Sequence, residues 1–332
     1  VLTIAILVVG LNVIRRHPAI ALALALVCLV GEIGLNTTRW YPRVKQDTAY
    51  PANEVVTLAR QRGGRVIRVG AQAQFSAFAP DLATEYGVAD AEGIVSLFPK
   101  QVDRYLRIVD DYGSYALSLN VAPPLSSGAE LASPLLDALD VRTIVAAPSV
   151  PVPEGYARLS AGDPSVYARV SPGPALLVPD AEPVSSEQMW HRVASPSWQP
   201  TMTAAVVGLA HPVTGGPGTV ANRGSGTDTD TWDVDGASGG FLRVSGNFDD
   251  GWSATLDGKS TKVYLADGLF RGVVVPPGRH LVRFSYRNHP EHDGRLLAGA
   301  ALVAVVALCV PWPGKKQHPS NKLGDRRTGA HF

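Results

Sequence analysis

The sequence predicts a membrane-protein fragment in which transmembrane helices flank a large extracytoplasmic α/β domain that ends in a β-rich antiparallel module. Three observations predict it. Apolar runs bordered by arginine and lysine stand at both ends of the chain. Helical and strand-like segments alternate through the middle. A period of two, the repeat of strands with one wet face, dominates residues 241–287.

The first apolar run, residues 1–14, is broken only by Thr3 and Asn12, and it reads as the tail of a longer helix, so that the chain is a fragment lacking its upstream part. Arg15, Arg16, His17 and Pro18 follow. Pro18 suits the first turn of a second helix, whose apolar stretch, residues 19–35, is interrupted only by Glu32. Trp40 and Tyr41 then mark a headgroup zone. A third stretch covers residues 296–312, and a basic tail, 313–332, carries Lys315, Lys316, Lys322, Arg326 and Arg327. Basic clusters stay cytoplasmic. The expected protein is therefore a multi-pass cell-membrane protein with residues 36–294 extracytoplasmic and 313–332 cytoplasmic, in contact with membrane lipids. Burial of the three runs in a water-soluble core is the competing reading.

Between the spans, residues 36–214 read as an α/β domain. Asn53 and Glu54 lead into a helix ended by Gly63 and Gly64. Residues 65–70 (RVIRVG) read as a strand, 80–86 as a short helix, 100–110 and 135–139 as further helices, and 141–147 (VRTIVAA) as a second strand. Short β-like runs follow (YARL, VYARV, ALLV), then a helix over 185–193. Residues 215–240, rich in Gly, Ser, Thr and Asp, read as a connector in which Trp232 and Val234 hint at a strand. In the β-rich module, 241–294, Trp252, Ala254 and Leu256 alternate with polar residues, as do Val282, Phe284 and Tyr286. Asp257-Gly258 and Pro277-Gly278 supply tight turns.

The 30 Lys/Arg and 29 Asp/Glu leave a net charge of +1, which argues against a nucleic-acid partner. Cys28 and Cys309 both lie in apolar runs, so the middle of the chain has no disulfide framework. No zinc-spaced histidines, phosphate loop or nucleophile elbow occurs, and no cofactor or metal is implied. Asp228, Asp230, Asp233 and Asp235 fail the spacing of a calcium loop. Asp249 and Asp250 precede Gly251-Trp252. Paired acids beside an aromatic ring can hold a sugar, with carboxylates on the hydroxyls and the ring against the apolar face. Turn chemistry and core packing are the competing account of the same residues. Glu32 is a candidate contact for a lipid-linked substrate, since a charge within a span is costly. Asp249, Asp250, Trp252 and Glu32 are thus the candidate substrate-binding residues.

The order FDDGW, LDGK, a short strand and LFRGVVVPPGRHLVRFSYR before an apolar helix resembles the C-terminal end of the bacterial YfhO family of multipass membrane proteins. PANEVVTLARQRGGRVIRVG, LATEYGVADAEGIVSL, LLDALDVRTIVAA and SVYARVSPGPALLVPDA fall in the same order, so the resemblance covers residues 50–310. It implies a polytopic glycosyltransferase of the cell envelope that takes a sugar from a polyprenyl-phosphate carrier, with the external domain positioning an envelope polysaccharide as acceptor. The catalytic acid of such enzymes lies in an early external loop, upstream of this chain, so catalytic residues stay unassigned. The alternative is a non-catalytic envelope protein whose external domain binds polysaccharide or a protein partner.

Overall fold

The computed structural model describes residues 50–288, apart from 52, 72, 74–77, 79–81, 95–98, 112–120 and 123, together with 26, 27, 29–35, 294, 296–301 and 303. Residues 44–288 form one compact unit, and residues 1–43 with 289–332 form the other.

The expected transmembrane architecture is corrected. Among the described residues no helix is long and apolar enough to cross a membrane. Of the expected second span, the described residues 26, 27 and 29–35 are helical. The run 1–14, most of 296–312 and the basic tail 313–332 lie outside the described residues. The multi-pass localisation, with 36–294 outside the cell and 313–332 inside, rested on those spans and is withdrawn with them. The described chain is instead a β-rich fold with short helices.

Helix α1 (Glu54–Arg62) starts at Asn53, whose Oδ1 accepts from the Val56 amide at 2.9 Å. It lays Val55, Val56 and Ala59 on one face of a mixed sheet. That sheet holds β1 (Arg65–Val69) between two parallel partners, β2 (Ala89–Asp90) and, after the separate antiparallel pair β3 (Gly93–Ile94) and β4 (Val121–Ala122), β5 (Val141–Ala146). Strands β6 (Ala157–Ser160) and β7 (Ser165–Ala168) extend it antiparallel beyond β5. Its other face packs on α2 (Lys100–Val109), α3 (Leu135–Ala138) and, later in the chain, α4 (Ser186–Val193), through Ile67, Val69 and Ile144 against Tyr105, Leu106, Leu136, Met189 and Trp190. Ser185 and Gln188 close a reciprocal capping box on α4.

Two further sheets stack beyond this layer. The larger orders as β11 (Val213–Thr214), β9 (Asp180–Val184), β10 (Thr203–Val207), β17 (Tyr264–Ala266), β18 (Phe270–Val275), β14 (Gly240–Asn247) and β8 (Ala175–Val178). The smaller orders as β12 (Thr219–Ser225), β13 (Thr229–Gly236), β19 (Gly278–Tyr286), β15 (Trp252–Leu256) and β16 (Lys259–Thr261). Leu177, Leu242, Val244, Val273 and Val275 of the first interdigitate with Trp232, Val234, Ala254, Val282 and Phe284 of the second. The joint between sandwich and α/β layer is aromatic: the rings of Tyr105 and Phe270 meet edge-on at 5.3 Å, and the Tyr105 hydroxyl donates to Leu135 O at 3.0 Å.

Two boundaries differ from expectation. The connector 215–240 is mostly the hairpin β12–β13, because Asp230, Trp232, Val234 and Gly236 take one face and pair with β19 across its length. The strands β8 to β11 within 175–214, a range expected in the α/β domain, pair into the sandwich, as ALLV does with FLRV in the register Leu177↔Leu242, while α4 packs on the α/β layer. Both follow from pairings between segments distant in sequence, which local periodicity does not record.

Candidate ligand-binding cleft

A cleft of about 370 Å³ opens where the N-terminal ends of β1 and β5 meet the sandwich. That volume is within the range of small-molecule sites, about 300–1,000 Å³. The α/β layer contributes Arg65, Asp140 and Arg142, and the sandwich contributes Asn222, Ser225, Asp230, Trp232, Val244 and Arg271.

Arg65 opens β1 and ties the layers together: one Nη donates to Leu139 O and the other to Ser245 O, both at 2.5 Å. Burial holds its guanidinium below the usual arginine range; Asp140 opposes that shift, and Arg271 deepens it by like-charge repulsion. Arg142 donates its Nε to Asp140 Oδ1 at 2.7 Å, and the same oxygen accepts from the Ser171 hydroxyl at 2.7 Å. On the other wall, Asn222 donates to Ser225 Oγ at 2.7 Å.

Arg271 is the centre of the cleft. It sits in β18 between apolar neighbours and is 5 % exposed. One Nη pairs with Asp230, and its guanidinium lies 3.9 Å from the centroid of the Trp252 ring and 5.4 Å from that of Phe284. Gly246 makes this possible, because a Cβ there would overlap the Arg271 guanidinium. Burial lowers the pKa of Arg271, with Asp230 opposing. Two buried donors of the lining, Arg271 Nε and the Trp232 indole Nε1, have no hydrogen-bond partner among the described residues. Each such orphan costs about 1–3 kcal/mol. Both carboxylates of the cleft, in contrast, are each committed to an arginine.

The residues singled out in the sequence stand beside this cleft or away from it. Asp249 is exposed and caps its own turn, accepting from the Gly251 amide at 2.8 Å, while Asp250 is exposed next to it. Trp252 is half-buried, faces the sandwich interior and packs against Tyr286 with ring centroids 5.1 Å apart. Burial, then the neighbouring Asp249 carboxylate, push the Tyr286 phenol up. The structure thus gathers Asp249 and Trp252 around Tyr286, but the Trp252 ring carries a guanidinium. Glu32 is an exposed helical residue of the terminal unit. Of the four aspartates around 228–235, Asp230 points inward to Arg271, whereas Asp233 and Asp235 pair with Arg223 and Arg279 at 3.2 and 2.6 Å.

None of Arg65, Asp140, Arg142, Asn222, Ser225, Asp230, Trp232 or Arg271 belongs to a recognisable motif. The one usable signal is a lone arginine inside an apolar strand: RVIRV, FLRV and LFRGVVV carry Arg68, Arg243 and Arg271, at 0 %, 3 % and 5 % exposure.

No protein-family model, curated protein or solved structure matches this chain. The resemblance to the YfhO family is corrected accordingly, and the assignment as a bacterial cell-envelope glycosyltransferase, which came only through that family, is withdrawn.

Proposed function

We propose that residues 50–288 form a non-catalytic saccharide-binding domain whose ligand lies in the cleft between the α/β layer and the sandwich. The observation that carries this reading is the lining itself. Planar and fixed polar groups from two layers (Arg65, Arg142, Asn222, Ser225, Arg271) converge on a pocket that also offers apolar surface from Trp232, Val244 and Pro174. A saccharide needs that combination: hydroxyls demand many directional partners, and the ring carbons need an apolar wall. Binding is favoured over catalysis because Asp140 and Asp230 are each held in an ion pair, so neither stands ready to move a proton.

The test is an oligosaccharide array probed with the full 332-residue chain, followed by calorimetry on the hits. Asn222 is exposed, so Asn222→Ala should leave the melting temperature unchanged while weakening binding by about tenfold, the loss of one or two hydrogen bonds. An array with no hits, or hits that Asn222→Ala and Arg142→Gln leave untouched, would remove the reading.

A further inference from the structure

We infer that the saccharide bound in the cleft is acidic, carrying a single monoanionic group, carboxylate or phosphodiester, seated among the guanidinium groups of Arg65, Arg142 and Arg271. This rests on the saccharide reading above and adds the charge of the ligand to it.

The cleft is lined by three arginines, Arg65, Arg142 and Arg271, against two aspartates, Asp140 and Asp230. Two of the three arginines have a carboxylate at hydrogen-bond distance, namely Arg142 with Asp140 and Arg271 with Asp230. Among the described residues Arg65 does not: its two Nη groups bond to the carbonyl oxygens of Leu139 and Ser245, which carry no formal charge. One positive charge is therefore left over in a half-buried site. Arg271 has in addition an Nε without a partner among the described residues, although the side chain is nine-tenths buried. A partly buried cation without a counter-charge is expensive in a folded chain, and an anion on the ligand removes that excess.

The size of the excess sets the charge of the ligand. One negative charge neutralises the lining, whereas a phosphomonoester, at about −1.5 to −2 near pH 7, would overshoot it in a poorly solvated space. A guanidinium fork also suits the planar carboxylate and the two free oxygens of a phosphodiester equally well. Burial first, and then the like charge of Arg271, lower the pKa of Arg65, in keeping with the same surplus.

Calorimetric titration of the full chain with three probes decides the matter: a galactose tetramer ending in one galacturonate, the neutral galactose tetramer, and the same tetramer carrying one glycerol phosphodiester. The expected result is binding of an acidic probe about tenfold or more tighter than the neutral one, as one charge-assisted hydrogen bond supplies. That preference should shrink when the ionic strength rises from about 0.1 M to about 1 M. The acidic probe that binds identifies the source of the anion. Arg142→Gln, at a partly exposed rim position, should abolish the preference, with the melting temperature measured alongside because the variant also frees Asp140 from its ion pair. Arg271→Lys tests the buried member, and Arg142→Gln carries the test alone if that variant does not fold. Equal or preferential binding of the neutral tetramer overturns the charge assignment and leaves the saccharide reading intact; failure of all three probes overturns both.

Discussion

The Arg271 guanidinium lies 3.9 Å from the centroid of the Trp252 ring, so the aromatic face that the sequence offers to a sugar is covered by a cation instead. The indole acts on the cleft through Arg271: it helps hold the guanidinium of β18 beside Asp230, at the boundary between sandwich and α/β layer.

Trp252→Ala should therefore weaken both fold and ligand binding, while Trp252→Phe keeps most of each. The expected destabilisation of the alanine variant is below the about 3–5 kcal/mol of a fully buried tryptophan, since Trp252 is only half-buried, with about 1 kcal/mol of it from the lost cation–π contact. Urea unfolding of both variants checks this, and an alanine variant as stable as the phenylalanine one would show that the ring supports nothing.

A second buried arginine anchors the α/β layer. Arg68 in β1 is fully buried, donates one Nη to Asp90 at 2.9 Å and to Glu92 at 2.8 Å, and lies over the Phe78 ring at 4.6 Å. Arg68→Met leaves two buried carboxylates and should destabilise by about 3–5 kcal/mol, whereas replacing all three residues with apolar ones of similar volume should recover most of that loss. Chemical denaturation of the single and triple variants tests the difference.

The same cluster makes stability depend on pH. Burial, opposed by Arg68 and reinforced by Asp90, pushes the Glu92 carboxyl from 4.5 up to about 8. A raised folded value means the unfolded chain releases this proton first. The contribution is thus complete below pH 4.5 and fades as pH rises through about 8, at on the order of 1 kcal/mol per pH unit between those limits. Glu92→Gln should flatten the stability profile across that window; a profile of unchanged slope would assign the proton elsewhere.

Asp267 and Arg243 form a buried pair at 2.8 Å, and Asp267 also accepts from the Ala205 amide at 2.8 Å. Asp267→Asn can retain the amide contact through its carbonyl oxygen but leaves Arg243 buried without a counter-charge, for a loss of about 3–5 kcal/mol. A shift in melting midpoint small enough to correspond to less than about 1 kcal/mol would mean that the carbonyl of Pro200, 2.5 Å from Arg243 Nη1, suffices.

Near the start of β19, His280 Nδ1 meets Asp257 Oδ2 at 2.7 Å. The hydrogen bond to Asp257 raises the imidazole above 6.5, so its contribution is present below 6.5 and is lost as pH rises through the folded value. Titration of His280 by NMR should show this elevation, and Asp257→Asn should return the ring toward 6.5.

How far the sequence could be read follows from which interactions are local. The helix that Asn53 and Glu54 lead into, the strand RVIRV and the helix over 185–193 depend on residues within one turn or one strand, and each is found where the sequence places it. So is the Asp257-Gly258 turn, where both residues adopt positive φ, 52° and 80°, as a two-residue hairpin loop requires. The cleft was not legible in the same way. Arg65 and Arg271 are separated by most of the fold's length, and nothing in RVIRV or LFRGVVV states that their guanidinium groups converge.

The sequence by itself determined α1, β1, α2, α4 and the Asp257-Gly258 turn, because hydrogen bonds between near neighbours and the two-residue pleat are encoded in adjacent side chains. Only the tertiary structure decided that ALLV joins the sandwich, that 215–240 holds paired strands, and that Arg65, Arg142 and Arg271 share one cleft. Those outcomes depend on pairing and desolvation between distant segments, whose free energy exists only once the layers have closed on one another.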